Sequence, residues 1–150
     1  MLSFSILVVD DELDFMETVV NRLNKRRLEA QGATSGEQAL KLLDAKPFDV
    51  ILLDIKMPGG MDGIETLREI KRRRPLAEVI LLTGHASVET SIDGMRLGAF
   101  DYLLKPVKFE ELLIKLASAF EKKAFHENKI RAARIDDLRR PEEDDQGGPG

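Results

Sequence analysis

Residues 50–54 read VILLD, four consecutive apolar side chains closed by a carboxylate. An apolar run of that length with no polar alternation is what a strand buried on both faces requires. The pattern recurs at residues 6–9, followed by Asp10, Asp11 and Glu12, and at residues 79–82, followed by Thr83 and Gly84. It appears a fourth time at residues 100–104, with one polar interruption, followed by Lys105 and Pro106. Between the runs the apolar spacing becomes helical: Leu13, Met16, Val20 and Leu23, then Leu40 and Leu43, then Ile64, Leu67 and Ile70, then Ile92 and Met95. A weaker strand over residues 28–33 completes five βα units. Strand and helix in strict alternation predict an α/β fold, a parallel sheet with helices on both faces.

Local signals place the helix boundaries. Ser35 with Gln38, and Asp62 with Glu65, read as capping boxes, and Ser87 as a third cap. Gly98 and Pro75 mark helix ends. After Phe109 the helical spacing continues through Leu112, Leu113, Leu116 and Phe120 and on to Leu138, longer than one layer of a small sheet can cover, so part of this helix should project.

The chain has 150 residues, 43% hydrophobic and 33% charged, with a formal net charge of -4. That length supports one core and a tail. The charge balance points away from direct nucleic-acid binding. The absence of Cys excludes disulfides, thiolate metal sites and a cysteine nucleophile, and fits a reducing, cytoplasmic setting. No apolar run approaches the ~20 residues that span a bilayer, so no membrane association is expected. The last ten residues, PEEDDQGGPG, carry nothing to bury and are expected to be disordered.

In an open parallel sheet, ligands bind beyond the carboxyl ends of the strands. Asp10, Asp11, Asp54, Thr83 and Lys105 all follow strand ends, so all should meet at one rim. Three converging carboxylates repel unless a cation sits among them, and an oxygen-only donor set selects a hard ion, Mg2+. A lysine and a hydroxyl beside such a cluster suggest a phosphoryl group as the remaining ligand.

Four segments, VVDDE at 8–12, LLDIKMPG at 52–59, LLTGH at 81–85 and DYLLKP at 101–106, together resemble the receiver domain of two-component response regulators. The resemblance covers residues 4 to 122. It implies a flavodoxin-like doubly wound sheet of strand order 2-1-3-4-5, with a receiver over residues 1–122, a helical extension over 123–140 and a tail over 141–150. It further implies that Asp54 accepts a phosphoryl group from a sensor histidine kinase or a histidine phosphotransfer protein, by self-catalysed transfer and slow autodephosphorylation rather than as a turnover enzyme. Asp11, Asp54 and the Lys56 backbone carbonyl would hold Mg2+, with Asp10 acting through water. Thr83 and Lys105 would contact the phosphoryl oxygens, and the side chains of Lys56 and His85 would tune hydrolysis. Thr83 and Tyr102 match the family's switch pair, and Lys105-Pro106 is expected to be cis. The face of helix 4, strand 5 and helix 5 would engage a downstream partner or effector domain, or a second copy. The charges from Glu121 to Arg140 read as the solvated face of the extended helix, with a coiled-coil homodimer through it as the sharper, less supported reading. One departure stands out: Gly60 is an extra residue in the loop after the acceptor strand.

Each residue has a plainer reading when taken alone. Asp10 or Asp11 would cap the next helix, Thr83 would bond backbone, Lys105 would be a solvated loop charge, and Tyr102 a half-buried strand aromatic. Asp49 reads as a turn residue, and His85 and His126 as surface residues. One alternative is a Mg2+-dependent phosphatase or phosphotransferase of the haloacid dehalogenase type, which also uses an Asp nucleophile; its motif places Asp two residues on, where this chain has Lys56. A nucleotide-binding module would need a Gly-rich phosphate loop that the sequence lacks. No second-domain signature follows, and the acidic Gly/Pro-rich end reads as favouring a stand-alone regulator over a fragment.

Overall fold

A computed structural model of the chain describes residues 3–84 and 88–139. Five strands, β1 Ser5–Val9, β2 Glu29–Ala33, β3 Val50–Asp54, β4 Glu78–Thr83 and β5 Asp101–Leu104, form one sheet. All neighbours pair parallel, in the order β2-β1-β3-β4-β5. The helices are α1 Leu13–Lys25, α2 Gly36–Ala45, α3 Gly63–Arg73, α4 Val88–Arg96 and α5 Phe109–Arg139. Among the described residues, no helix is long and apolar enough to cross a membrane.

The apolar runs are explained by two cores. Because side chains alternate along a strand, Leu7, Val9, Ile51, Leu53, Val79 and Leu81 face one side, against Leu40 and Leu43 of α2 and Leu67 and Ile70 of α3. Ile6, Val8, Val50, Leu52, Ile80 and Leu82 face the other, against Met16, Val19 and Leu23 of α1 and Leu112 and Leu116 of α5. Strand β5 departs from the expected double burial: Leu103 is buried, but Tyr102 and Leu104 are 43% and 46% exposed. It is an edge strand, and α4 stands off its outer face, leaving a cavity instead of packed side chains.

The caps fall on the predicted residues, but neither pair closes the full reciprocal box. Ser35 accepts from the Gln38 N–H at 3.1 Å, while the Gln38 side chain reaches back to the N–H of Thr34 rather than to that of the cap itself. Asp62 accepts from the Glu65 N–H at 2.8 Å. Gly98 closes α4 with φ +101, as expected of a residue ending a helix in the left-handed region. Ser87 lies outside the described residues.

Helix α5 runs unbroken through 122 and 123, about 46 Å in all, and every side chain from Glu127 onward is exposed. Two adjacent lysines fasten it to the amino edge of the sheet. Lys122 Nζ lies 3.5 Å from the buried carboxylate of Glu78, and Lys123 Nζ donates to Asp49 at 2.9 Å and to Glu127 at 3.0 Å. Asp49 is therefore more than a turn residue, since it also accepts from the Ser5 N–H at 2.9 Å and joins β1, β3 and α5. Burial pushes its carboxyl up, but the Ser5 N–H and Lys123 outweigh that and hold it below its ordinary value. The acidic segment 141–150 lies outside the described residues.

Candidate functional site

Register decides what the strand ends bring together. Val9 pairs with Leu53, Asp54 with Leu82, and Thr83 with Leu104. Asp10, Asp54, Thr83 and Lys105 therefore stand side by side along one rim, each at the last residue of its strand or one beyond it. The Lys105 N–H donates to the Thr83 carbonyl at 2.8 Å and the Ile55 N–H to the Leu82 carbonyl at 3.0 Å, extending the ladder past the strand ends. Lys105-Pro106 is cis, as expected.

Asp10 is fully buried. Its Oδ1 accepts from the Glu12 N–H at 2.9 Å and its Oδ2 from Lys105 Nζ at 2.7 Å. The helix-cap reading of Asp10 and Asp11 does not hold: Glu12 occupies the cap position of α1 and makes no side-chain cap bond. Asp11 is exposed, whereas Asp54 is 5% exposed and its Oδ1 accepts from the Lys56 N–H at 3.2 Å. Lys105 Nζ also lies 3.7 Å from both Asp54 Oδ2 and Glu12 Oε1. Burial, followed by the Asp10 charge, pushes the Asp54 carboxyl up to about 7, against the opposing pull of Lys105 and the Lys56 N–H. Burial works to lower Lys105, but the hydrogen bond to Asp10 and the charges of Asp10, Asp54 and Glu12 outweigh it, and the ammonium is held above its ordinary value.

One oxygen each from Asp10, Asp11 and Asp54 lies within 4.8 Å of the others. Three carboxylates at that spacing, an oxygen-only set, match the donors of a hard divalent cation, so the residues present fit Mg2+. In metal-free protein the raised Asp54 carboxyl has a signed consequence. The folded state holds a proton that the unfolded chain, with an ordinary value of 3.8, has already released. Stability therefore falls as pH rises from about 4 to about 7 and levels off above. Thermal melts in chelator should show this decline in the native protein, and Asp54→Asn should remove it and raise Tm by a few degrees near pH 8. A parallel pH dependence in the two proteins would contradict it.

Thr83 is buried, and its Oγ1 donates to the Gly84 carbonyl at 3.0 Å. Tyr102 points outward, and beside it lies a cavity of about 150 Å3 bounded by Thr83, Ser91, Ile92, Met95 and Leu104. The Lys56 side chain is exposed, and His85 lies outside the described residues. Sequence reasoning missed two neighbours of Lys105. Glu12 and Phe15 carry no role in the sequence motifs, yet Glu12 Oε1 lies 3.7 Å from Lys105 Nζ and the centroid of the Phe15 ring 4.7 Å from it, where the π face attracts the ammonium. The available signal was position, since Phe15 follows Glu12 by three residues on the first turn of α1 and shares its face. The extra glycine is accommodated by φ +78 at Gly59 and +122 at Gly60, and the Met61 N–H anchors the loop to Glu37 at 3.2 Å.

The response regulator receiver domain model matches residues 6–117. Transcriptional regulatory protein ZraR of Klebsiella oxytoca is 40% identical over 114 residues, 76% of this chain and 26% of that protein. The crystal structure of the NtrX receiver domain from Brucella abortus superposes with a TM-score of 0.74 at 34% identity, covering 77% of this chain and 98% of that one. NtrX from the same organism gives a TM-score of 0.82 at 30% identity, covering 87% of this chain and 30% of that one. The chain spans about a quarter of the length of the curated relatives it matches. The match replaces the haloacid dehalogenase alternative. A parallel sheet of order 2-1-3-4-5, with three aspartates and a lysine gathered at its carboxyl rim, places this chain in the response regulator receiver domain family, the phosphoryl-accepting switches of two-component systems.

Proposed function

We propose that Asp54 is the phosphoryl acceptor of this receiver. One observation carries the reading: Asp54 is buried among Asp10, Asp11 and Lys105 with its Oδ2 3.7 Å from the ammonium, while Asp10 already spends both oxygens on Lys105 and the Glu12 N–H. The donor is a phosphohistidine on a sensor kinase or phosphotransfer protein. Asp54 attacks phosphorus, a P–N bond breaks, an O–P bond forms, and the histidine leaves with the electron pair of the broken bond. Asp11, Asp54 and the Lys56 carbonyl would hold Mg2+, with Asp10 acting through water, and the ion would supply positive charge against the transferring oxygens. Lys105 moves from Asp10 onto a phosphoryl oxygen, and the Thr83 hydroxyl turns from the Gly84 carbonyl to another. Lys56 and His85 flank the path of the water that later hydrolyses the acyl phosphate.

Turning Thr83 makes room for Tyr102. A cavity of about 150 Å3 is large enough to take a benzene ring, so the exposed phenol has space to swing inward. That motion changes the face of α4, β5 and α5, where Ile92, Met95, Tyr102 and Leu104 are exposed together. The face, or the extended α5, engages an effector domain, a protein partner or a second copy.

The test is acetyl phosphate with Mg2+, read by intact mass. One phosphoryl adduct, stable in acid, labile in base and prevented by chelation, supports the reading; no adduct overturns it. Lys105→Ala separates chemistry from signal. Removing a cation 3.7 Å from Asp54 should leave Mg2+ affinity no weaker, while phosphorylation-dependent NMR shifts around Tyr102 disappear. Shifts of native size in that variant would contradict the coupling role of Lys105.

A further inference from the structure

The amino-edge pole of the molecule, remote from Asp54, carries a groove where the end of α1 and the start of β2 meet α5. Its volume is about 440 Å3, its floor is Phe4, Leu28, Leu113 and Ala117, and its rim is Lys25, Arg26 and Arg27. We propose that this groove docks an acidic segment of a partner protein through an apolar anchor side chain. The proposal is independent of the phosphorylation chemistry.

The rim is cationic on a chain whose net charge is -4. Elsewhere Arg72, Arg73, Lys115, Lys122 and Lys123 are each matched by a carboxylate, and other cations such as Lys41 and Arg68 are not; what distinguishes the rim is three consecutive cations bordering one apolar floor. Among the described residues, Lys25, Arg26 and Arg27 form no ion pair. Arg22 and Arg26 instead lie over the Phe109 ring, at 4.0 and 5.6 Å from its centroid. Three cations around an apolar floor form a surface whose complement is acidic outside and apolar at its centre.

Arg27 supplies an independent observation. It ends α1 in the left-handed region, φ +65, and is the only non-glycine residue described there. Its N–H donates to the Asn24 carbonyl and the Leu28 N–H to the Leu23 carbonyl, closing the helix in the way that usually calls for glycine. A residue with a Cβ is strained in this conformation, so Arg27 is the wrong choice for the fold alone. Local rules broken at a single position point to a task for the side chain.

The floor selects the occupant. A nucleic-acid backbone would satisfy the rim and leave the apolar floor unfilled, and a bilayer receives protruding apolar side chains, not recessed ones. The acidic stretch 142–145 of the same chain cannot reach. The helix separates Ala117 from Arg139 by about 33 Å, and the six residues from 140 to 145 span about 20 Å when extended.

The experiment is an amide NMR titration of the full chain with a helical Glu-rich peptide carrying Leu and Phe four residues apart. A control peptide of equal charge has Ser at both positions; an oligonucleotide and anionic phospholipid vesicles form the other arms. Saturable shifts at residues 25–28 and 113–117, at least about fivefold weaker for the Ser peptide, are expected. Arg27→Gly should bind about fivefold more weakly and yet melt a few degrees higher, since it relieves the left-handed strain. The proposal is overturned by no saturable shift at millimolar peptide, by equal binding of the Ser peptide, by tighter binding of the oligonucleotide or vesicles at these residues, or by unchanged affinity in Arg27→Gly.

Discussion

Asp54→Asn, incubated with acetyl phosphate and Mg2+, is expected to stay at its unmodified mass under conditions where the native chain gains one phosphoryl group. An amide oxygen lacks the charge needed to attack phosphorus, so the rate should fall by on the order of a thousandfold or more. The neighbours do not substitute. Asp10 is fully buried, with one oxygen committed to Lys105 and the other to the Glu12 N–H. Asp11 is exposed and forms no ion pair with Lys105, the cation that would steady a transferring phosphoryl group. The fold should survive, because removing a carboxylate whose ionisation is disfavoured by burial relieves the metal-free protein. A melt at neutral pH therefore controls for unfolding. An adduct of native size on the Asn variant would move the acceptor to another residue.

The second large effect is expected at Gly63, the first residue of α3. A Cβ built there falls 2.5 Å from the Asp54 carbonyl oxygen and 2.5 Å from Ile55 Cα, both backbone atoms. The Gly63 N–H also donates to the Ile55 carbonyl at 3.1 Å, so helix and strand end are locked at close approach. Gly63→Ala must push α3 away from β3, loosening Leu67 and Ile70 in the core below. A loss of about 2–4 kcal/mol in urea unfolding is expected, together with weaker Mg2+ binding because the displaced peptide carries Asp54. Gly59→Ala is the matched control. Its φ is +78, but nothing lies within 4 Å of the added Cβ, so it should cost only the backbone penalty, about 1 kcal/mol. Equal effects from the two substitutions would show that close packing against β3 is not what Gly63 provides.

Most of the fold was legible because burial on both faces leaves a strong trace: β1, β3 and β4 are nearly pure apolar runs, and only sheets covered by two helical layers demand them. β5 breaks the same rule. Tyr102 and Leu104 are as apolar in sequence as buried residues, and only the position at the sheet edge, beside a cavity, makes them exposed. The long reach of α5 was readable from periodicity, but its attachment was not. Nothing about Lys122 and Lys123 in sequence says that they meet Glu78 and Asp49 some forty to seventy residues earlier.

By itself the sequence determined the alternation of elements, the residue types at each strand end, and therefore a rim of aspartates, a hydroxyl and a lysine, because these follow from short-range patterning. Tertiary structure alone decided how those groups interact. Lys105 binds Asp10 at 2.7 Å rather than Asp54, Phe15 backs the ammonium, and Asp54 is raised to about 7. The reason is physical. Pairing and pKa depend on distance and on how much water is excluded between groups, and both are set only when strands remote in the chain lie side by side.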